Sequence, residues 1–168
     1  MSYRDVTYVI FDADEDGWAY RFMRGWKAND RVEFDFRDAH DLRKLTWRAQ
    51  DETYIKSILR ERMRAARQVI VLVGEKTKNL YRYVRWEIEL ALEKGLPITV
   101  VNLNGSRAQD EYCPAILRDK CAVHVPFKMN AIKLALDNWP DEYKKLGAAE
   151  RLKGARYYSD SVYAKVAI

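Results

Sequence analysis

The sequence predicts an α/β domain built on a parallel β-sheet. Five short apolar segments alternate with amphipathic segments of helical length, and three of the five are nearly continuous in apolar residues. Strands that helices cover on both faces have this composition. With 168 residues, of which 48% are hydrophobic and 33% charged, the chain is large enough to bury the core that such a domain requires.

The apolar segments predict five strands and their order in the sheet. The first, third and fourth are the most apolar and are expected at the centre. The second alternates strictly between apolar and polar residues and the fifth is interrupted by a histidine, so both are expected at the edges. With right-handed crossovers the order is 2-1-3-4-5, the flavodoxin-like arrangement. The predicted strands are Thr7–Phe11, Val32–Phe36, Gln68–Gly74, Ile98–Leu103 and Ala122–Val125.

The amphipathic segments predict helices on both faces of this sheet. The connection before the fifth strand is long enough only for a short helix. We expect one domain over residues 1–139 and a charged, tyrosine-containing extension over residues 140–168 that packs on or beside it. The predicted helices are Gly17–Lys27, Thr53–Ala66, Leu80–Lys94 and Phe127–Trp139.

Composition and charge exclude several classes of protein. No apolar run approaches the roughly 20 residues that cross a bilayer, and the first residues lack the pattern of a secretory signal, so we expect a cytoplasmic protein without a membrane partner. Cys113 and Cys121 do not form a zinc-binding pattern with the two histidines and are expected to be free thiols, with no metal bound. The net charge of +5 is dispersed, and the densest basic run, Arg60–Arg67, predicts a solvated helix face rather than a nucleic-acid contact.

Acidic residues follow the first strand, at the edge where ligands of open α/β sheets bind. Asp12, Asp14, Glu15 and Asp16 have the chemistry to bind a metal, to accept hydrogen bonds from a sugar or amine, or to cap the next helix. For Asp16 we expect the helix cap. The sequence contains no G-x-G-x-x-G, Walker A or G-x-S-x-G motif that would assign a nucleotide or a serine nucleophile.

One glutamate lies on the apolar side of the third predicted helix. At about 100° per residue Leu80, Val84, Ile88 and Ala91 form one stripe, and Glu87 falls within roughly 60° of Val84. A carboxylate in this position either pairs with a neighbouring Arg or Lys or serves as a functional group at a pocket. Spacing alone leaves both interpretations open.

Three stretches of sequence resemble a known family. They are TYVIFDADEDGWAYRFMRGWKAND, VEFDFRD and IKSILRERMRAARQVIVLVGEKTKNLYRYVRWEIELALEKGLPITVVNL. Together they resemble the TIR-like domain of bacterial Thoeris antiphage defence, the ThsB family, over roughly the first 105 residues. The most specific part is the third strand followed by GEKT, an aromatic–Val pair, and WEIELAL before Gly95.

The resemblance implies roles for individual residues. The catalytic glutamate of TIR domains corresponds to Glu87, and Tyr83, four positions earlier, would line the nicotinamide–ribose pocket. Trp86 is a candidate on its chemistry and not on the resemblance: it forms an aromatic cluster with Tyr81 and Tyr83 that is suited to stack on a nicotinamide or adenine ring, and ordinary packing is the alternative. Phe11, Asp12 and Ala13 occupy the substrate-contacting segment after the first strand, where many TIR domains have Phe-x-Ser; the serine is absent here. The segment from Arg37 to Asp41 takes the place of the loop that closes over substrate and mediates assembly.

The implied activity is cleavage of NAD, with NAD as substrate and no separate cofactor. The reaction would release nicotinamide and yield a cyclic or linear signal of the ADP-ribose type. A phage-derived trigger, a downstream effector reached through the diffusible nucleotide, and homo-oligomer assembly are the partners that the family implies. Two alternatives stay open: a non-enzymatic TIR-like adaptor that docks through exposed Trp26 and Trp86, and an enzyme similar to nucleoside deoxyribosyltransferases.

Overall fold

The computed structural model describes residues 6–38 and 51–168 and confirms the α/β fold with a parallel sheet. All strand pairs are parallel, and the order is β2-β1-β3-β4-β5-β6, so that the first five strands are arranged 2-1-3-4-5. The strands are β1 (Val6–Ile10), β2 (Arg37–Asp38), β3 (Gln68–Val73), β4 (Ile98–Asn102), β5 (Ala122–Pro126) and β6 (Arg156–Tyr157).

Helices cover both faces of the sheet, as predicted. Asp51 caps the helix Glu52–Arg62 (α2): its carboxylate accepts hydrogen bonds from the amides of Thr53 and Tyr54. A short 3-10 turn over Thr77–Asn79 precedes α3. The helices are α1 (Gly17–Ala28), α2 (Glu52–Arg62), α3 (Arg82–Glu93), α4 (Met129–Lys145), α5 (Ala148–Arg151) and α6 (Asp160–Lys165).

The alternation of side chains along β1 assigns each helix to a face. Tyr8 and Ile10 belong to the hydrophobic cluster that α2 and α3 cover. Val9 and Phe11 belong to the cluster covered by α1, α4 and α6. Because successive residues of a strand point to opposite faces of the sheet, alternate side chains of β1 lie in two separate hydrophobic layers.

The second strand was predicted at the wrong position. The backbone of residues 32–36 forms turn hydrogen bonds, from Phe34 N to Val32 O for example, and β2 begins only at Arg37. Phe34 and Phe36 are nevertheless buried against the α1 layer. The apolar–polar alternation therefore indicated that alternate side chains are buried on one face. It did not indicate a strand with hydrogen bonds to a neighbour.

The sheet has six strands instead of the predicted five, and the predicted edge strand is internal. β6 pairs with β5, with Val123 opposite Arg156 and His124 opposite Tyr157. Every residue of β5 is buried. A strand of two residues is too short for a recognisable pattern, so the pairing of β6 with β5 could not be predicted from the sequence.

The C-terminal residues are continuous with the rest of the structure. α4 runs through Pro140, which is buried together with Trp139, so the boundary expected between residues 139 and 140 falls inside a helix. Tyr163 of α6 is fully buried in the cluster beneath α4. The connection before β5 consists of turns where a short helix was expected. Within the described ranges, no helix combines the length and apolar character needed to cross a bilayer.

Candidate active site

Glu87 is buried on the sheet-facing side of α3. The predicted stripe is confirmed for Val84, Ile88 and Ala91, which are buried together with Glu87. Leu80, the first residue expected in the stripe, lies before α3 and ends the 3-10 turn with a φ of 49°, so that part of the prediction is wrong. Only 6% of Glu87 is exposed, and in the described part of the chain no Arg or Lys is recorded within salt-bridge distance of its carboxylate. The ion pair that spacing alone would have allowed is therefore not what holds this side chain.

The hydroxyl of Tyr8 donates a hydrogen bond of 2.6 Å to Oε1 of Glu87. This length is typical of a hydroxyl that donates to a charged carboxylate. Tyr8 was not predicted as a site residue, although a tyrosine in a buried central strand brings a hydroxyl that has to find a partner. In the described residues Oε2 accepts no hydrogen bond.

Burial raises the pKa of Glu87 to about 7. The hydrogen bond from Tyr8 and the more distant positive charge of Arg62, at the end of α2, both lower the pKa but do not offset burial. The carboxyl group therefore exchanges its proton close to neutral pH. A carboxyl group shifted in this way is typical of catalytic sites.

The register of the sheet places the Glu87–Tyr8 pair between β1 and α3. Tyr8 is the third of the five residues of β1 and lies opposite Val69, the second residue of β3. On the other side of β1, Thr7 lies opposite Asp38, the last residue described before position 51. The hydrogen bond therefore joins the central part of β1 to the sheet-facing side of α3.

The acidic residues after β1 form a network of their own with the segment after β3. Asp16 occupies the cap position of α1 but makes no capping bond; its Oδ2 accepts from the hydroxyl of Thr77 at 3.1 Å. The Thr77 hydroxyl in turn accepts from the amide of Gly74 at 2.8 Å. The expected helix cap is therefore wrong, because the side chain is used to join β1 to β3. Burial raises the pKa of Asp16.

Two aromatic residues adjoin Glu87 on α3. Tyr83 lies one helical turn before Glu87 and is 40% exposed, and its ring meets Trp86 edge-on at 6.1 Å. Trp86 is half-buried, with the charged groups of Lys56 and Arg82 within 5.0 and 5.5 Å of its ring centre. Trp86 also lines a small groove of about 80 Å³ between α2 and α3. Tyr83 therefore presents an exposed aromatic wall one helical turn from Glu87, and its contact with substrate stays a prediction.

Comparison with protein-family models identifies the family to which the chain belongs. A model of the Thoeris protein ThsB, TIR-like domain, matches residues 8–108, which is more than half of the chain. The chain belongs to this family. Membership in the ThsB family supports a role in antiphage defence, and the matched segment includes both Glu87 and Tyr8.

The structure separates Phe11 from the other expected site residues of the ThsB family. Phe11 stacks on Tyr20 at 4.7 Å in the layer of α1, on the opposite face of the sheet from Glu87. Asp12 is buried; its Oδ1 accepts from the amides after it, and its Oδ2 has no partner among the described residues. Ala13 is exposed. Substrate contact by these three residues stays a prediction.

The second loop of the ThsB family site falls largely outside the described residues. Arg37 opens β2 opposite Val6, and its substrate-binding role also stays a prediction. The segment expected to close over substrate, which continues to Asp41, lies beyond the described residues from position 39. Within the ranges 6–38 and 51–168, no group of three or more His, Cys, Asp or Glu is arranged to hold a metal.

Proposed function

We propose that the protein is an NAD-cleaving enzyme of antiphage defence that releases nicotinamide and makes a cyclic or linear ADP-ribose-type signal for a separate effector. The observation that supports this proposal most directly is the buried Glu87, held by Tyr8 on Oε1 while Oε2 accepts no hydrogen bond among the described residues. Family membership supports the defence role. A phage-derived trigger and assembly of several copies are part of the same proposal.

The chemistry suits a fixed carboxylate. When the bond between nicotinamide and ribose breaks, its electron pair leaves with nicotinamide, and the ribose carbon becomes positively charged in an oxocarbenium-like state. Oε2 of Glu87 would hold the ribose hydroxyls and stabilise this charge, while Tyr8 fixes the carboxylate in place. Each tenfold in rate requires about 1.4 kcal/mol of such preferential stabilisation.

The acceptor that attacks the ribose carbon decides the product. Water would yield ADP-ribose and a proton, and a nitrogen or hydroxyl of the same molecule would yield a cyclic isomer. Exclusion of water favours the second course, and the aromatic wall at Tyr83 is suited to shield a planar ring. Phe11, Asp12, Ala13 and Arg37 are proposed substrate contacts on the family correspondence alone, and Trp86 is proposed as an aromatic contact beside Tyr83.

The test is nicotinamide release from NAD by wild type, Glu87→Gln and Glu89→Gln, each assayed with a lysate of infected cells as the source of trigger. Glu89→Gln is the matched control, because Glu89 lies on the same helix, is more exposed and pairs with Arg85. We expect Glu87→Gln to lose at least about 100-fold in rate and Glu89→Gln to keep it. Equal release by wild type and Glu87→Gln would refute the catalytic role, and turnover of deoxynucleosides would favour the deoxyribosyltransferase alternative.

The adaptor alternative is modified by the structure. Trp26 and Trp86, expected as exposed docking residues, are both half-buried: Trp26 packs against Phe34 and Phe127. The exposed aromatics of α1 are Trp18 and Phe22. An adaptor would lose partner binding or assembly in Phe22→Ser and keep its biological activity in Glu87→Gln.

A further inference from the structure

A cavity of about 420 Å³ opens at the amino ends of the central strands. Arg67 lies on its wall immediately before β3, and Pro97 immediately before β4. The opposite wall comes from the C-terminal part of the chain, with Lys144 at the end of α4 and Arg151 at the end of α5. The volume is within the range of pockets that bind small molecules.

The charge of this cavity is positive. Arg67, Lys144 and Arg151 line it, and the described lining contains no carboxylate. Lys144 has an exposed partner in Asp141 at 3.7 Å, whereas neither arginine pairs with a carboxylate in the described part of the chain. Three cations around one cavity attract an anion of several charges more strongly than isolated surface lysines do.

Arg151 is held in a fixed orientation. Its guanidinium lies over the ring of Tyr143, 4.2 Å from the ring centre, and Nη2 donates to the carbonyl oxygen of Tyr143 at 3.1 Å. Nε is buried and has no acceptor among the described residues. An oriented guanidinium with donors to spare matches the paired oxygens of a phosphate group and loses little entropy on binding.

We propose that this cavity binds a small molecule that carries a diphosphate, with Arg67, Lys144 and Arg151 as the phosphate-binding residues. The proposal goes beyond NAD cleavage, because the cavity lies at the amino ends of the strands and three of its lining residues, Tyr143, Lys144 and Arg151, follow residue 108, where the family match ends. It does not depend on catalysis by Glu87.

The test is calorimetric titration of the full chain with pyrophosphate at constant ionic strength. We expect one saturable site in wild type, and about tenfold weaker binding in Arg67→Gln and in Lys144→Gln. Both residues are exposed, so both variants should fold, which their melting temperatures would verify. Arg64→Gln is the control, since Arg64 is exposed near the end of α2 and does not line the cavity.

Two further measurements complete the test. Arg151→Lys keeps the charge but not the planar fork, and we expect it to weaken binding as well. Glu87→Gln should leave binding unchanged, which separates this site from the proposed active site. Absence of saturable binding by wild type, or affinity that Arg67→Gln and Lys144→Gln leave at the wild-type level, would overturn the proposal.

Discussion

The hydroxyl of Tyr8 in β1 and the carboxylate of Glu87 in α3 are joined by a buried hydrogen bond of 2.6 Å across 79 positions of sequence. This bond has two effects that can be measured separately. It fixes the orientation of the carboxylate, and it favours the ionised form of Glu87 against the burial that opposes it.

Tyr8→Phe is expected to shift the pH dependence of NAD cleavage. With Glu87 active as the carboxylate, kcat/KM of wild type should rise with pH through about 7. Removal of the hydroxyl raises the pKa of Glu87 further, so the variant should lose about tenfold in rate at pH 7 and recover most of it at pH 9. The measurement is a pH profile of nicotinamide release.

Tyr163→Phe is the control for this prediction, because the Tyr163 hydroxyl is buried without a hydrogen-bond partner among the described residues, in the layer on the other face of the sheet. Its pH profile should coincide with that of wild type. A uniform loss at all pH values in Tyr8→Phe would show that the hydroxyl positions the carboxylate without tuning its ionisation.

Glu87→Gln should stabilise the fold more at high pH than at low pH. The pKa of Glu87 is raised to about 7 in the folded state, from 4.5. Its contribution to stability is therefore complete below pH 4.5 and is lost as pH rises through 7. We expect the free energy of unfolding of Glu87→Gln, relative to that of wild type, to be about 2 kcal/mol higher at pH 8 than at pH 5. Urea unfolding at the two pH values measures this difference, and equal effects at both would contradict the raised pKa.

His124→Leu should show the opposite dependence on pH. His124 is fully buried in β5, both ring nitrogens lack partners among the described residues, and burial lowers its pKa to about 4. Its contribution is present above pH 6.5 and lost as pH falls toward 4. The free energy of unfolding of the leucine variant, relative to that of wild type, should therefore be about 2 kcal/mol higher at pH 4.5 than at pH 7. Urea unfolding at the two pH values again provides the measurement. If the variant were stabilised relative to wild type more at pH 7 than at pH 4.5, the imidazole of His124 would not be neutral and buried as described.

Two glycine substitutions should have opposite effects on stability. A Cβ at Gly74 would collide with the carboxylate of Asp16, whose Cγ lies 2.8 Å from that position, and would disturb the bond between Asp16 and Thr77. We expect Gly74→Ala to lower the free energy of unfolding by about 2 kcal/mol.

Gly25→Ala provides the matched comparison. Gly25 lies inside α1 and a Cβ there meets nothing within 4 Å, so the substitution should stabilise the fold by about 0.5–1 kcal/mol. Thermal unfolding of both variants tests the pair. A melting temperature of Gly74→Ala at or above wild type would show that Asp16 moves away without cost.

The sequence predicted those features that depend on periodic burial. The stripe of Val84, Ile88 and Ala91 placed Glu87 on the inner side of α3 because helical geometry alone determines that direction. Continuous apolar composition located β1, β3 and β4 to within a residue or two. Helices on both faces follow from such strands.

Long-range polar contacts could not be predicted in the same way. The partner of Glu87 is a tyrosine 79 positions away, and the partner of Asp16 is Thr77, 61 positions away. No local pattern encodes either pair, since each depends on how the strands are arranged side by side. Phe34 and Phe36 are spaced like the buried residues of a strand, although they precede β2. Side-chain burial and backbone pairing are separate properties, and the sequence pattern indicates only the first.

The addition of β6 to β5 has a consequence for how the family should be studied. A fragment ending at residue 108 would retain Tyr8 and Glu87 but would lack β5, β6 and α4. The free side of β4 would then offer its amide and carbonyl groups to other copies, a common cause of aggregation by strand addition. If such a fragment were inactive, the cause would therefore be aggregation through β4 and not the loss of a catalytic group.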